Sequence, residues 1–193
     1  MDNPSNVAPL NLHLQLSTRQ VSIIVVMTAT CLSTNYLMLG LVNVKFMDLI
    51  IFTLGLSLGS IVGVVVGVLT WLIYGTLNPY GFSLPILIAT CIGESIYGLA
   101  GGVLKKSNFY DPSKLGSGYL TAGTKFAILG FLLTFIYDQF TNVISALTVG
   151  IPLYMGLVMG VPFSIIHEAS NATFFFVGAA PLTYLIKRFY GQA

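Results

Sequence analysis

The sequence predicts an all-α integral membrane protein with six transmembrane helices and both termini in the cytoplasm. Hydrophobic residues make up 55% of the 193 positions and charged residues only 7%, whereas soluble domains carry about 25% charged residues. The mean hydropathy is +0.88, and the apolar stretches approach the roughly 20 residues that a spanning helix needs. We divide the chain into a cytoplasmic N-terminal arm at 1–18 and a single transmembrane domain at 19–190.

The predicted spans follow one another along the chain with short polar connections. The second is short and runs directly into the third, which favours a tight hairpin or a tilted pair. The apolar stretch 143–158 is interrupted by Gly150-Ile151-Pro152, and we interpret it as a loop or half-helix packed over the outer face. The six spans are 21–41, 45–58, 59–77, 84–104, 119–142 and 159–186.

The distribution of lysine and arginine predicts the orientation, because these residues concentrate in cytoplasmic segments. Only Lys45 falls outside, while Lys125 can snorkel from the inner end of the fifth span. The arm at 1–18 contains no Lys or Arg and therefore lacks the charged region of a signal peptide. The residues predicted to be cytoplasmic are Arg19, Lys105, Lys106, Lys114, Lys187 and Arg188.

Ionisable residues of the spans converge in the outer half of the membrane when this topology is applied. A charge in hydrocarbon is costly, so such residues usually mark a pathway or a binding site. Lys45, Asp48, Asp138, His167 and Glu168 fall in the outer parts of their spans, and Glu94 falls near the midplane. The inner half has almost no buried polarity, which predicts a pocket open to the outside instead of a continuous channel.

The predicted binding groups share helix faces at a spacing of four residues, as Asp138 and Asn142 do. A structural alternative is an interhelical hydrogen-bond network, worth about 0.6 kcal/mol per bond in membranes. In another alternative, aromatic residues such as Trp71 and Tyr74 form a belt at the membrane interface. Lys45 and Asp48 alternatively form a structural ion pair. Our predicted substrate-binding residues are Glu94, Asp138, Asn142, His167 and Asn171, with Trp71, Tyr74 and Tyr97 for stacking. The excess of acidic groups favours a cationic ligand such as thiamine or its pyrimidine precursor.

Small residues recur at every fourth position across the second and third spans, a spacing that lets helices pack closely. The spacing alone leaves open whether the partner helix belongs to this chain or to another subunit. The predicted packing or docking residues are Ala29 and Ser33 in the first span and Gly59, Gly63 and Gly67, preceded by Gly55.

The motifs argue against an enzyme, and no metal or cofactor is expected. The sequence His167-Glu168-Ala169-Ser170-Asn171 places Asn where the zinc motif HExxH needs its second histidine. The segment 101–107 lacks the Gly-Lys-Ser/Thr step of a phosphate-binding loop, so the chain is not expected to hydrolyse ATP. Nucleic-acid binding is excluded because no basic patch with interleaved aromatic residues is present.

Several segments, in order, resemble the substrate-binding S components of energy-coupling factor (ECF) vitamin transporters. The resemblance covers about residues 20–190 and extends to the chain length, the helix count and the inside termini. The segments are Lys45-Phe46-Met47-Asp48-Leu49, Trp71-Leu72-Ile73-Tyr74-Gly75, Asn78-Pro79-Tyr80-Gly81, Gly93-Glu94-Ser95-Ile96-Tyr97-Gly98, Asp138-Gln139-Phe140-Thr141-Asn142 and the Asn171-centred sixth span with Pro181.

The resemblance implies binding of a water-soluble vitamin or precursor in an outward pocket capped by the loop after the first helix. It also implies docking on a transmembrane T component, driven by two cytosolic ATPases, in a prokaryotic plasma membrane. The family's Ala-x-x-x-Ala docking motif corresponds here to Ala29-x-x-x-Ser33, a departure from the pattern. Two alternatives stay open: a stand-alone transporter coupled to protons through Glu94 or Asp138, and a non-transporting assembly subunit that packs through the glycines.

Overall fold

The computed structural model describes residues 16–79, 81–107, 109–112, 116 and 118–190. These residues form six α-helices and no strand. Residues 1–15 of the predicted arm, together with Tyr80 and Lys114, lie outside the described residues. The helices are α1 (Thr18–Leu37), α2 (Met47–Leu58), α3 (Ser60–Thr76), α4 (Leu84–Lys106), α5 (Tyr119–Val149) and α6 (Leu153–Tyr190).

Four of the helices, α1, α4, α5 and α6, are long and apolar enough to cross a membrane. Helix α2 has 12 residues and α3 has 17, which correspond to about 18 and 26 Å at 1.5 Å per residue. The hydrocarbon core of a bilayer is about 30 Å thick. The prediction of an all-helical protein is therefore confirmed for the described residues, and four apolar helices indicate a membrane-embedded protein, whereas the lengths alone do not establish six crossings.

The first three helices are delimited by local signals. Helix α1 begins with a capping box, in which the Gln20 amide donates to Ser17 Oγ at 3.2 Å and the Ser17 amide donates to Gln20 Oε1 at 2.9 Å. Gly59 separates α2 from α3 with a φ of +115°, a conformation that favours glycine. Apart from its chain neighbours, no atom of the described residues lies within 4 Å of a Cβ built at Gly59. Gly59 is thus a turn residue, which differs from its predicted packing role.

Helices α5 and α6 form a long hairpin that includes the whole of the stretch 143–158. The interruption predicted at Gly150-Ile151-Pro152 is confirmed as the turn, where Gly150 ends α5 in the left-handed conformation with φ +73°. The loop or half-helix expected around it is wrong, because both flanks continue as helix. Their 31 and 38 residues correspond to about 46 and 57 Å, so the hairpin is longer than a bilayer core is thick.

The close-packed centre of the bundle is formed by α2, α3 and α4. Eleven of the twelve residues of α2 are buried, so this helix contacts protein on nearly all sides. A Cβ added to Gly63 would lie 2.8 Å from Gly98 Cα, and one added to Gly67 would lie 3.1 Å from Glu94 Cγ. The glycine spacing in α3 therefore serves packing against α4 of the same chain. Ala29 and Ser33, in contrast, are exposed on α1.

Two side chains satisfy carbonyl groups in the last third of α6. Pro181 has no amide hydrogen, so the Val177 carbonyl lacks its usual partner four residues on. The Tyr119 hydroxyl at the start of α5 donates to that carbonyl at 2.9 Å. Arg19 of α1 donates to the Phe189 carbonyl at 2.7 Å. The beginning of α1 is thereby fixed to the end of α6, and the beginning of α5 to its second half.

Candidate functional site

A cavity of about 410 Å³ lies at the end of the bundle where α1 and α3 finish and α2 begins. Its volume falls within the roughly 300–1,000 Å³ typical of small-molecule sites. The loop 38–46, which joins α1 to α2, forms much of its wall. The other lining groups come from α1, from the end of α3, from Asn78 just after α3 and from α6. The lining residues are Asn35, Met38, Leu39, Leu41, Val42, Asn43, Val44, Lys45, Trp71, Tyr74, Asn78 and Phe163.

The loop 38–46 is attached to α6 through Asn43. The Asn43 side-chain amide donates to the Phe163 carbonyl at 2.9 Å. The backbone of Asn43 has a φ of +53°, in the left-handed region that asparagine tolerates better than most residues. Since both Asn43 and Phe163 line the cavity, this hydrogen bond crosses from the loop to the helix at the cavity wall.

Aromatic rings and one cation form the deeper wall. The rings of Trp71 and Tyr74 lie edge to face with centroids 5.4 Å apart, and Tyr36 contacts Tyr74 in the same manner at 5.5 Å. The Lys45 ammonium lies 4.8 Å from the Trp71 ring centroid and 5.3 Å from that of Tyr137, close enough for cation–π attraction to both. The wall therefore presents aromatic rings, packed edge to face, beside a positive charge.

A buried polar network lies next to this wall, centred on His167. Its Nδ1 is 2.9 Å from Asp138 Oδ1 and its Nε2 is 2.8 Å from Asp48 Oδ2. The histidine is fully buried, and both carboxylates are at most 5% exposed. A neutral imidazole has a single N–H donor. Two hydrogen bonds to carboxyl groups therefore require either an imidazolium or a protonated carboxyl group. In both cases the three side chains together hold one proton more than a neutral histidine beside two carboxylates.

Asn171 and Thr134 extend the network toward α4. The Asn171 amide donates to Asp48 Oδ2 at 2.6 Å and to Thr134 Oγ1 at 2.7 Å. The Tyr97 hydroxyl donates to the same threonine oxygen at 2.9 Å, and that threonine donates to the Gly130 carbonyl at 2.7 Å. Four helices, α2, α4, α5 and α6, are joined by this chain of contacts.

Glu94 lies between the network and the cavity wall. Its carboxyl group interacts with that of Asp48, and the Trp71 indole Nε1 donates to Glu94 Oε2 at 2.9 Å. Glu94 is fully buried. Several acceptor oxygens of the network receive no hydrogen bond from the described residues, a costly arrangement in an apolar interior. These oxygens are Asp48 Oδ1, Glu94 Oε1, Asp138 Oδ2 and Asn171 Oδ1.

The structure separates the sequence-predicted site residues into three groups. Trp71 and Tyr74 line the cavity. Asn142 is half-buried apart from the network and donates to Ser164 Oγ at 3.3 Å. The remaining five belong to the buried network, in the manner of the interhelical alternative, and none of them lines the cavity: Glu94, Tyr97, Asp138, His167 and Asn171.

Sequence reasoning missed most of the cavity lining and the central position of Asp48. Asp48 shares a hydrogen bond with His167 and accepts one from Asn171, although its neighbour Lys45 suggested a local ion pair. The available sequence signal for a polar cavity wall was Asn43, which lies in the loop predicted between the first and second spans. Within the described part of the chain, no group of three or more His, Cys, Asp or Glu side chains is placed to hold a metal ion.

The chain matches no protein-family model, no curated protein and no solved structure. The cavity and the adjoining network therefore carry the functional argument by themselves.

Proposed function

We propose that this protein binds a small polar solute in the cavity beside loop 38–46 and delivers it across the membrane as the S component of an ECF-type importer. The observation that carries the proposal is the continuity between cavity and buried charge. Trp71 lines the cavity and donates to Glu94, and Lys45 lines it while contacting Trp71. A ligand that touches either side chain also acts on the network that joins four helices.

The ligand is expected to be planar and to carry an acidic or carbonyl-rich group. Among the described lining residues, Lys45 is the one with a charge, whereas Glu94 and Asp138 lie behind the wall. A cation entering the cavity would meet the ammonium before any carboxylate. This placement reverses the preference for thiamine-like cations that the count of acidic residues suggested, because charge acts on a ligand only from where it is accessible.

The transport topology and partners belong to the same proposal. All six helices cross the membrane, with α2 shielded from lipid by its neighbours, both termini cytoplasmic and the cavity open to the outside of a prokaryotic plasma membrane. Ala29 and Ser33 lie on an exposed side of α1, which is compatible with docking on a transmembrane T component that two cytosolic ATPases drive. The chain itself has no catalytic role in this proposal.

Thermal-shift screening of the purified protein against vitamins and their precursors tests the binding step. A ligand at 100 times its dissociation constant is expected to stabilise the fold by about 2.7 kcal/mol. Acidic ring compounds, such as nicotinate or biotin, are compared with cations such as thiamine. A hit that weakens in Lys45→Met supports the proposal. Lys125→Met is the matched control, because Lys125 contacts Phe109 and does not line this cavity.

A flat screen with folded protein would contradict the solute-binding proposal. A hit among cations alone, unaffected by Lys45→Met, would contradict the ligand class and leave solute binding in place. Glu94→Gln adds a second readout. The amide oxygen still accepts from Trp71, so a loss of binding in this variant would show that the Glu94 carboxyl group itself, and not only its hydrogen bond with Trp71, matters to the ligand.

A stand-alone proton-coupled transporter is the second candidate, and the His167 trio favours it. A histidine between two buried carboxyl groups can gain or lose a proton, as proton relays in transporters do. Uptake into vesicles that contain only this protein, driven by a proton gradient and lost in Asp138→Asn, would select this candidate. The assembly-subunit alternative is weakened, since Gly63 and Gly67 already pack within the chain.

A further inference from the structure

A second cavity, of about 460 Å³, lies at the opposite end of the bundle from the solute cavity. The starts of α1 and α3 and the ends of α2, α4 and α6 meet there. Three of its lining residues are cationic, and none of the described lining residues is acidic. The lining consists of Ser17, Arg19, Gln20, Ile23, Ser57, Leu58, Lys105, Lys187 and Tyr190. We call this cavity the basic cleft.

The three cations of the basic cleft differ in the contacts that they already make with other protein groups. Arg19 donates to the Phe189 carbonyl and lies 5.6 Å from the Tyr190 ring centroid, so its guanidinium is held in place. Lys187 is half-buried and Lys105 is exposed, and the two are close enough to repel each other. Asp111 interacts electrostatically with Lys187 but does not line the cleft.

Ser57 supplies an independent indication of a ligand. Ser57 is one of the residues that line the cleft and is only 4% exposed, yet its buried hydroxyl has no hydrogen-bond partner among the described residues. Buried hydroxyls are almost always paired, since an unpaired one loses its hydration without compensation. An anion held by Lys105 and Lys187 would accept a hydrogen bond from this hydroxyl.

Neutralisation of helix ends explains the lysines only in part. Lys105 and Lys187 each occupy the last turn of a helix, where a positive charge is favourable. Lys106 and Arg188 occupy equivalent last-turn positions, however, and do not line the cleft. The helix dipole therefore accounts for basic residues at these ends but not for two that share one cavity with an unpaired hydroxyl.

We propose that the basic cleft binds a phosphate group, with Lys105, Lys187 and Arg19 supplying charge and Ser57 a hydrogen bond. Basic pockets between helices at the cytoplasmic side of a membrane commonly hold anionic lipid headgroups. The same chemistry recognises a soluble phosphate. The site is separate from the solute cavity. Its location at the cytoplasmic side rests on the proposed topology, but phosphate binding by these residues does not depend on the proposed transport function.

The test measures thermal unfolding of the full chain in detergent with three probes: phosphatidylglycerol, phosphatidylcholine and inorganic phosphate at constant ionic strength. The double variant Lys105→Gln/Lys187→Gln is expected to weaken apparent affinity for phosphatidylglycerol at least about tenfold. The matched control is Lys106→Gln/Arg188→Gln, which removes the same charge from the same helix ends and should change affinity less than about threefold. Ser57→Ala, which keeps every charge, should weaken it about fivefold.

The site with a lipid as its ligand is supported if phosphatidylglycerol stabilises the protein and if affinity falls most in Lys105→Gln/Lys187→Gln, less in Ser57→Ala and least in Lys106→Gln/Arg188→Gln. An equal response to inorganic phosphate, with the same order of variants, supports the site with a soluble ligand. Equal losses in the two double variants would overturn the proposal, because diffuse surface charge would then explain the binding. The absence of a response to all three probes in folded wild-type protein would overturn it as well.

Discussion

The indole Nε1 of Trp71 donates a hydrogen bond to Glu94 Oε2 across 2.9 Å, and both residues are almost completely buried. Trp71 also lines the solute cavity, so this one contact joins the cavity wall to the polar interior. The other oxygen of Glu94 receives no hydrogen bond from the described residues. The hydrogen bond from the Trp71 indole therefore stabilises this buried carboxyl group.

Trp71→Phe is expected to destabilise the protein by about 1–3 kcal/mol, because the Glu94 carboxylate would lose its indole donor while remaining buried. Denaturant unfolding in detergent measures the loss. Adding Glu94→Leu to this variant should restore part of the stability, since the apolar side chain leaves no buried oxygen without a hydrogen-bond donor. Wild-type stability in Trp71→Phe would mean that the hydrogen bond contributes nothing net.

His167→Phe is expected to be among the most damaging single substitutions in the described part of the chain. It would leave Asp48 and Asp138 buried without the imidazole between them, and breaking a buried ion pair in this way costs about 3–5 kcal/mol. The readout is the midpoint of thermal unfolding. Asp48→Asn with Asp138→Asn in the same chain should recover most of the loss. A decrease below about 1 kcal/mol for His167→Phe would contradict the described pairing.

Gly98→Ala tests the contact between α3 and α4. The added Cβ would lie 2.5 Å from the Gly63 carbonyl carbon and from the Val64 nitrogen. Both are backbone atoms, so the helices must separate, at a cost of about 1–3 kcal/mol. Gly40→Ala is the control, because no atom of the described residues outside its chain neighbours lies within 4 Å of a Cβ there. Equal stability of the two variants in urea would show that α3 and α4 do not pack as described.

Tyr119→Phe is expected to cost about 1 kcal/mol, the usual net contribution of one hydrogen bond. The loss arises because Pro181 leaves the Val177 carbonyl dependent on the Tyr119 hydroxyl. In a Pro181→Ala background the new amide can donate to that carbonyl, so the same substitution should cost clearly less. A double-mutant cycle on thermal unfolding measures the difference, and full additivity of the two changes would argue against the coupling.

The sequence predicted the local properties of the chain well. Runs of apolar residues indicated where helices form, and Gly150-Ile151-Pro152 correctly marked a turn, since hydropathy and backbone preference depend on neighbouring residues. The role of the flanks of that turn was misjudged, because whether an apolar stretch packs as a helix depends on a partner such as the facing helix of the hairpin. Gly59 was misjudged for a related reason. Its four-residue spacing from Gly63 suggested a packing contact, whereas its backbone forms the turn between α2 and α3.

The candidate site shows the same division more sharply. From its sequence alone, the protein was determined to be helical, apolar and rich in buried ionisable groups such as Glu94 and His167. Only the tertiary structure decided that Asp48, 119 positions away, is the partner of His167, and that Trp71 and Lys45 face the cavity while Glu94 lies behind them. The physical reason is that hydropathy acts locally, whereas the rotation and depth of each helix, which select the partners of a side chain, arise only when all the helices pack together.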